Sequence, residues 1–333
     1  MQRFPSPRRV ALPAHLGARG AELDPIALSV HVAGPEAGQP IVLCHGFPDL
    51  ARSWVNQVAA LSDAGYRVLA PDQRGYGASD RPDGIEAYDL EHLTGDLVRL
   101  LDAFDIERAV FAGHDWGGFV VWAMAVLYPE RTAGVIGVNT PYTPFPTTAL
   151  LRQLVPDEDR LYILWFQKPG VAEGVLDRDA RQCFEKLMRG GFEPEGELLA
   201  RATTRDGGLD ANPFRRLAEV PTVGEALLDE DELDLYTRAF EASGFRGGVS
   251  WYRNIDRNGE LFPEIGVKKL EMPCLMVTAE WDLALRPELA AGMPAVCSDL
   301  ETKLVAECGH WTPREKPEEL NRLMLDWLKR RFA

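Results

Sequence analysis

Seven short apolar runs, rich in β-branched residues, recur along the chain and stop at glycine or a polar residue. They are IALSVHVAG (26–34), IVLCHG (41–46), YRVLAPD (66–72), AVFAGHD (109–115), TAGVIGVNTP (132–141), PCLMVTAE (273–280) and TKLVAECGH (302–310). Between most of them the apolar positions recur at helical spacing, as in DLEHLTGDLVRLLDAFDI (89–106) and GGFVVWAMAVLYPER (117–131). Runs bounded by turn residues predict strands, and their alternation with helix-length segments predicts βαβ units on a mostly parallel sheet. Strands that are apolar almost throughout imply a sheet covered on both faces.

The alternation stops between about 145 and 265. That stretch opens beside Pro144 and Pro146 and is rich in charged helix formers, as in DRDARQCFEKLMRG (177–190) and DEDELDLYTRAF (229–240). No strand-like run interrupts it until the sheet pattern resumes at MPCLMVTAE (272–280). The pattern predicts a helical domain over 145–265, inserted between two parts of one α/β core, 1–144 and 266–333. There are no internal repeats or low-complexity tracts.

Composition narrows the function classes. A formal net charge of −15 over 333 residues argues against nucleic acid and anionic lipid as partners, since both require a basic face. No apolar run reaches the roughly 18 residues of a membrane span. The first twenty residues contain arginines but no compact apolar stretch. A secretory signal is therefore not expected; a transit peptide fits only in part, and a plain extension of a cytoplasmic protein fits better. Cys44, Cys183, Cys274, Cys297 and Cys308 are odd in number and form no C-x-x-C pair, which points to reduced thiols. Cys44 and Cys308 lie close to His45 and His310, but no four-ligand spacing follows, so no metal is expected.

Ligands of open parallel sheets collect at the C-terminal ends of the strands. Four such ends carry reactive or polar residues here: His45 with Gly46, Asp115, Asp282, and His310. In FAGHDWGG (111–118) the glycines surround a strand-to-helix bend of the nucleophile-elbow type, with Asp115 where serine is familiar. Asp115 could simply cap the helix that follows, but capping leaves Gly113 and Gly117 without a reason. A carboxylate is ionised at neutral pH and needs no base before it attacks. It is a modest nucleophile, suited to an activated sp3 carbon, and its product is an ester that water can cut. The order Asp115, Asp282, His310 matches nucleophile, acid and base in the α/β-hydrolases. His310 would activate that water, with Asp282 orienting the imidazole. Glu280 is a rival to Asp282, which is preferred because it lies further past the strand end, in the loop that must reach the histidine. The backbone N–H groups of Phe47, in HGFP (45–48), and of Trp116 would form an oxyanion hole, with His45 and Pro48 shaping the turn. DQRGYGASDRP (72–82) lacks a phosphate-loop pattern and reads as a structural loop near the site.

Together HGFPDL…SW, VLAPDQRGYGASDRP, GHDWGG, GVNTPY, LYILWFQKPGVAE, GFRGGVSWYRN, LMVTAEWD and CGHWTPREKPEELN resemble the α/β-hydrolase-fold epoxide hydrolases. The similarity is to the hydrolase domain of the soluble enzymes of animals and plants and to their bacterial relatives, and it runs from about residue 25 to the C-terminus. It implies an α/β-hydrolase core with a helical cap, without the phosphatase domain that precedes this fold in the mammalian enzymes. It also implies that Tyr162 and Tyr252, which read from the residues alone as packing aromatics, donate hydrogen bonds to the epoxide oxygen. Asn139, in GVNTPY, matches a supporting position. The expected substrate is a small epoxide, the product a vicinal diol, and no cofactor is implied. Haloalkane dehalogenase is the nearest alternative, but such enzymes usually carry Asn or Glu where Phe47 stands; the fluoroacetate type carries arginines just after the nucleophile, where this chain has Trp116 and Phe119. A non-catalytic ligand receptor on the same scaffold is a reading from another class. A homodimer stays open, and Trp165, Phe166 and Trp251 read equally as an apolar pocket or as cap core.

Overall fold

The computed structural model describes residues 4–191 and 210–332. Its main sheet has eight strands: β1 (Pro7–Leu12), β2 (Ile26–Ala33), β3 (Pro40–Cys44), β4 (Arg67–Asp72), β5 (Ala109–His114), β6 (Thr132–Val138), β7 (Leu270–Ala279) and β8 (Cys297–Val305). Their spatial order is β1-β2-β4-β3-β5-β6-β7-β8. β2 pairs antiparallel with both β1 and β4, and the remaining neighbours are parallel. This is the α/β-hydrolase fold that the resemblance implies, and its mostly parallel sheet is what the alternation of runs predicts.

Helices α1 (Val55–Asp63), α2 (Leu90–Ala103) and α3 (Trp116–Leu127) follow β3, β4 and β5. Successive strand residues turn to opposite faces, as the pleat requires. Val42, Phe111 and Met276 pack in one apolar cluster with Leu97, Val121 and Met124 of α2 and α3. Ile41, Leu43, Val110 and Val277 pack in the other, with Trp54, Val58 of α1, and Leu320 and Trp327 near the C-terminus. Full burial of each such aliphatic side chain stabilises the fold by about 1.5–3 kcal/mol relative to exposure.

Between β6 and β7 the described residues are mainly helical: α4 (Thr148–Leu154), α5 (Tyr162–Trp165), α6 (Val171–Leu176), α7 (Ala180–Leu187), α8 (Glu230–Ser243), α9 (Arg246–Arg253) and α10 (Ile255–Leu261). Residues 192–209 of the predicted 145–265 insert lie outside the described residues. One expectation is corrected, because Arg189–Gly190 pairs antiparallel with Glu225–Ala226 inside this stretch. Two residues per strand are too few to leave a periodic pattern. Helix α11 (Pro317–Phe332) closes the core. β8 starts five residues before the run that signalled it. β1 goes unannounced by the sequence pattern because it is an edge strand burying only Leu12, with Pro7 at its start. All five cysteines are buried free thiols, and no described helix is long and apolar enough to cross a membrane.

The bend from β5 into α3 is tight. Asp115 takes φ 52° and ψ −124°, a costly conformation for a residue with a side chain. A Cβ on Gly117 would lie 2.1 Å from the Cys44 carbonyl oxygen, and one on Gly113 would lie 2.2 Å from the Gly117 oxygen. The Asp115 carbonyl accepts the Gly118 N–H at 2.9 Å and the Thr140 hydroxyl at 2.7 Å, which pins the bend. Gly117→Ala should therefore lower the unfolding free energy by about 1–3 kcal/mol, the usual cost of overpacking. Gly174→Ala in α6, where a methyl meets nothing within 4 Å, should instead be neutral or stabilising by about 0.5–1 kcal/mol. Urea unfolding of both variants checks the contrast.

Candidate active site

Asp115 stands at the head of α3 but makes no side-chain capping bond to it. Its carboxylate points back toward the end of β3, where Oδ1 accepts the Phe47 N–H at 2.7 Å. The Trp116 N–H, next along the chain, also favours the charged carboxylate. Of the two amides expected to form an oxyanion hole, that of Phe47 is thus bound to an oxygen of Asp115 itself. Oδ2 faces His310, 3.8 Å from its Nε2. Asp115 is only 9% exposed. Burial raises its pKa, while the His310 charge and the two amides pull it down.

His310 follows β8 and turns its other nitrogen to Asp282, with Nδ1 3.0 Å from Oδ2. The same Oδ2 accepts the Asn139 amide at 2.7 Å, and Oδ1 accepts the N–H groups of Ala284 and Leu285, each at 2.9 Å. Burial alone would push the Asp282 pKa up. The His310 charge, their hydrogen bond and these amides outweigh it and hold Asp282 down at about 2. Burial likewise disfavours a charged His310, but the Asp282 carboxylate and then Asp115 overcome it and raise His310 to about 9. Glu280 is exposed, and its carboxylate accepts the Glu307 N–H at 2.9 Å. Of the two carboxylates after β7, the structure brings Asp282 to the histidine. Asn139 has φ 63°, which Asn tolerates better than most residues, and its N–H is tied to Val277 O at 2.8 Å.

His45 is fully buried and bridges two loops rather than facing Asp115. Its Nε2 accepts the Gln73 N–H at 3.0 Å, and Nδ1 lies 2.9 Å from Gly46 O. Burial lowers its pKa despite the nearby Asp72 charge. Tyr76, in the Gly-rich 72–82 loop, lays its ring edge-on to His45 at 4.7 Å. His114, beside the elbow, escaped the sequence reading because nothing in its spacing marks it. Its Nε2 bonds the His310 carbonyl oxygen at 2.7 Å. Burial, then the His310 charge, depresses its pKa to about 3, so it is neutral and holds the base by its backbone.

Above the carboxylate sit aromatic rings. Tyr252 on α9 stands edge-on to Trp116 at 5.0 Å and to Phe47 at 5.3 Å. Tyr162 on α5 lies 5.7 Å from Tyr252, and Phe166 packs against both. Burial, with a further contribution from the Asp115 charge, raises the pKa of each phenol, so both remain protonated donors. Trp251 meets Trp116 at 6.0 Å, while Trp165 packs on Phe166 at 5.7 Å. Two of the three aromatics that read equally as pocket or core, Phe166 and Trp251, therefore border the site. The arrangement is a buried carboxylate with one oxygen tied to the Phe47 amide, an imidazole facing the other, and two phenols in an apolar roof. Among the described residues no group of three or more His, Cys, Asp or Glu side chains is placed to hold a metal.

Comparison with known proteins shows the family. A family model described as the α/β hydrolase fold matches residues 39–317. The chain is 40% identical over 320 residues to Epoxide hydrolase A of Mycobacterium tuberculosis, covering 93% of this chain and 96% of that protein. It is 39% identical over 318 residues to Bifunctional epoxide hydrolase 2 of Sus scrofa, covering 92% of this chain and 56% of that protein. The chain thus spans about half the length of that mammalian relative. Among solved structures, Epoxide Hydrolase A from Mycobacterium thermoresistibile superposes with a TM-score of 0.82 at 38% identity, covering 97% of this chain and 98% of that one. An epoxide hydrolase from an endophytic Streptomyces gives 0.83 at 30% identity, covering 98% of this chain and 96% of that one.

The charge on Asp282 is what lifts His310. Asp282→Asn should lower the His310 titration midpoint from about 9 by about 1–3 pH units, whereas Glu280→Gln should leave it in place. Imidazole NMR resonances followed against pH check both.

Proposed function

The chain belongs to the α/β-hydrolase-fold epoxide hydrolases, and from that premise we propose that it hydrates epoxides to vicinal diols through an ester on Asp115. The observation that carries this reading is the division of labour within one carboxylate: Oδ1 is held by the Phe47 amide and Oδ2 is left facing His310. In the first step Oδ2 attacks an epoxide carbon and the C–O bond of the ring breaks. The oxygen that leaves takes a proton from Tyr162 or Tyr252 and stays on the substrate as a hydroxyl. Phenols in an apolar roof suit this role, since they are protonated where an alkoxide would otherwise develop. In the second step His310 takes a proton from water as that water attacks the ester carbonyl carbon. The negative charge that forms rests on Oδ1, which the Phe47 amide already holds, with the Trp116 amide as second donor in this reading. Collapse of this intermediate releases the diol and restores the Asp115 carboxylate, leaving His310 protonated as in the free enzyme. In this reading residues 145–265 act as a cap that brings the two tyrosines over a core made of 1–144 and 266–333. The buried free thiols support a reducing, cytoplasmic setting, in which hydrating an electrophilic epoxide is a detoxifying step.

The titration of His310 fits the two steps. In the free enzyme two carboxylates hold it protonated up to about 9. Ester formation neutralises Asp115 and removes one of them, so the pKa of His310 falls, its proton passes to the tyrosine that gave one up, and the imidazole becomes available as a base. Ester hydrolysis should therefore rise with pH along a single titration whose midpoint lies below 9. Stopped-flow single turnovers at several pH values measure it, and a midpoint at or above the free-enzyme value would count against the scheme.

Assaying a panel of epoxides and haloalkanes side by side tests the function itself. Diol formation without halide release is expected; halide release alone would indicate a dehalogenase, and binding without turnover a receptor. His310→Gln should accumulate enzyme heavier by one substrate mass, seen by intact-protein mass spectrometry. Replacing Tyr162 and Tyr252 together by Phe should slow ester formation by about 10²–10⁴-fold, the usual contribution of a general acid.

A further inference from the structure

Tyr162 and Tyr252 lie on different helices, and neither helix belongs to the sheet that carries Asp115. Their height above the carboxylate depends on how α9 is seated on the core and how α5 is fastened to α9. The seat is a contact between backbones. A Cβ on Gly247, in the first turn of α9, would fall 2.5 Å from both the Cα and the carbonyl oxygen of Gly75. Gly75 has φ 92°, and a Cβ there would fall 2.9 Å from Gly247 Cα. Beside them, a Cβ on Gly248 would lie 2.6 Å from the ring of Phe47, whose amide holds Asp115. Polar ties secure both ends of the helix to the same core loop. Arg246 donates to Asp83 O at 2.6 Å and Pro82 O at 3.1 Å, and the Asn254 amide donates to Ile85 O at 2.7 Å.

The second fastening joins the two tyrosine-bearing helices. The Gln167 side-chain amide donates to Ile163 O on α5 and to the carbonyl of Tyr252 itself, each at 2.9 Å. Arg253, the neighbour of Tyr252, donates to Phe166 O at 2.8 Å and Lys168 O at 3.2 Å, and is held by Glu173 at 2.6 Å. Its side chain is only 5% exposed.

We propose that Gly75, Gly247, Gln167 and Arg253 are positioning residues for ring opening. The glycine contact sets the height of α9 over the elbow, and Gln167 and Arg253 lock Tyr162 to Tyr252, so that both phenols meet one oxygen. This rests on the ester mechanism above. A methyl at Gly247 must move from 2.5 Å to the 3.4–4 Å of ordinary contact, and a displacement of about 1 Å at a reacting group costs up to about 10²-fold in rate.

Single turnovers of the full chain, followed by mass spectrometry, separate ester formation from ester decay. Gly247→Ala should slow formation by about 10–10²-fold and slow decay much less. Both tyrosines ride on α5 and α9, whereas Asp115, His310 and Asp282 sit on the core, which α9 meets near them through the rings of Phe47 and Trp116. Gln167→Met, which keeps the length and loses the donor, should also slow formation and spare decay. Gly259→Ala in α10, where a methyl meets nothing within 4 Å, should change neither. If Gly247→Ala does not fold, the Gln167 variant alone decides. Formation at the unmodified rate in variants with a cooperative thermal transition, or equal slowing of both steps, overturns the inference. Absence of any ester in the unmodified enzyme would overturn the proposed function first, and this inference with it.

Discussion

A carboxylate buried at a strained bend is the constraint around which the other parts of the site are arranged. Removing an ion from water costs several kcal/mol unless hydrogen bonds and opposite charge compensate. Asp115 finds both: the amide of Phe47 on one oxygen, His310 opposite the other. The close approach that forbids a side chain at Gly117, 2.1 Å from Cys44 O, is also what brings the end of β3 within hydrogen-bonding distance of the elbow. The glycines and the anion site are one feature.

Charge then alternates outward from that point. Asp115, His310 and Asp282 stand in line, with Asn139 and two backbone amides absorbing the far carboxylate. Because the line is buried, each member sets the protonation of the next, which is why His310 titrates high and Asp282 low. Chemistry at one end is therefore felt at the other. Turning Asp115 into an ester deletes a charge, and the imidazole responds by becoming a better base at the moment the proposed mechanism requires one.

Much of this was legible in the chain because it is local. A strand end, a glycine-flanked bend and the distance of Asp282 past β7 are short-range signals, and the structure brings Asp115, His310 and Asp282 together accordingly. The tyrosines were not legible in that way. They are ninety residues apart in sequence and on separate helices, so only a resemblance between motifs singled them out. Contacts farther apart left no trace at all. Glu232 of α8 receives Arg52, 180 residues away, and Arg314, 82 residues away. His114 was passed over because its partner is a backbone carbonyl nearly two hundred residues on. The edge strand β1, with one buried side chain, lacked the alternation that would announce it.

The residues between β6 and β7 are held to the core by apolar packing in the middle and by directional contacts around the site's margin. Glu232 bridges two nearly buried arginines, Tyr236 donates to the buried Asp49 at 2.7 Å, Arg246 grips the 82–83 carbonyls, and glycine meets glycine beneath α9. The aromatic faces of Phe47, Trp116, Phe166 and Tyr252 are gathered in the middle instead. Buried ion pairs add little net stability and much geometric definition. Placed at the margin, they add direction to an apolar contact that already joins the two layers, and so fix the roof over Asp115.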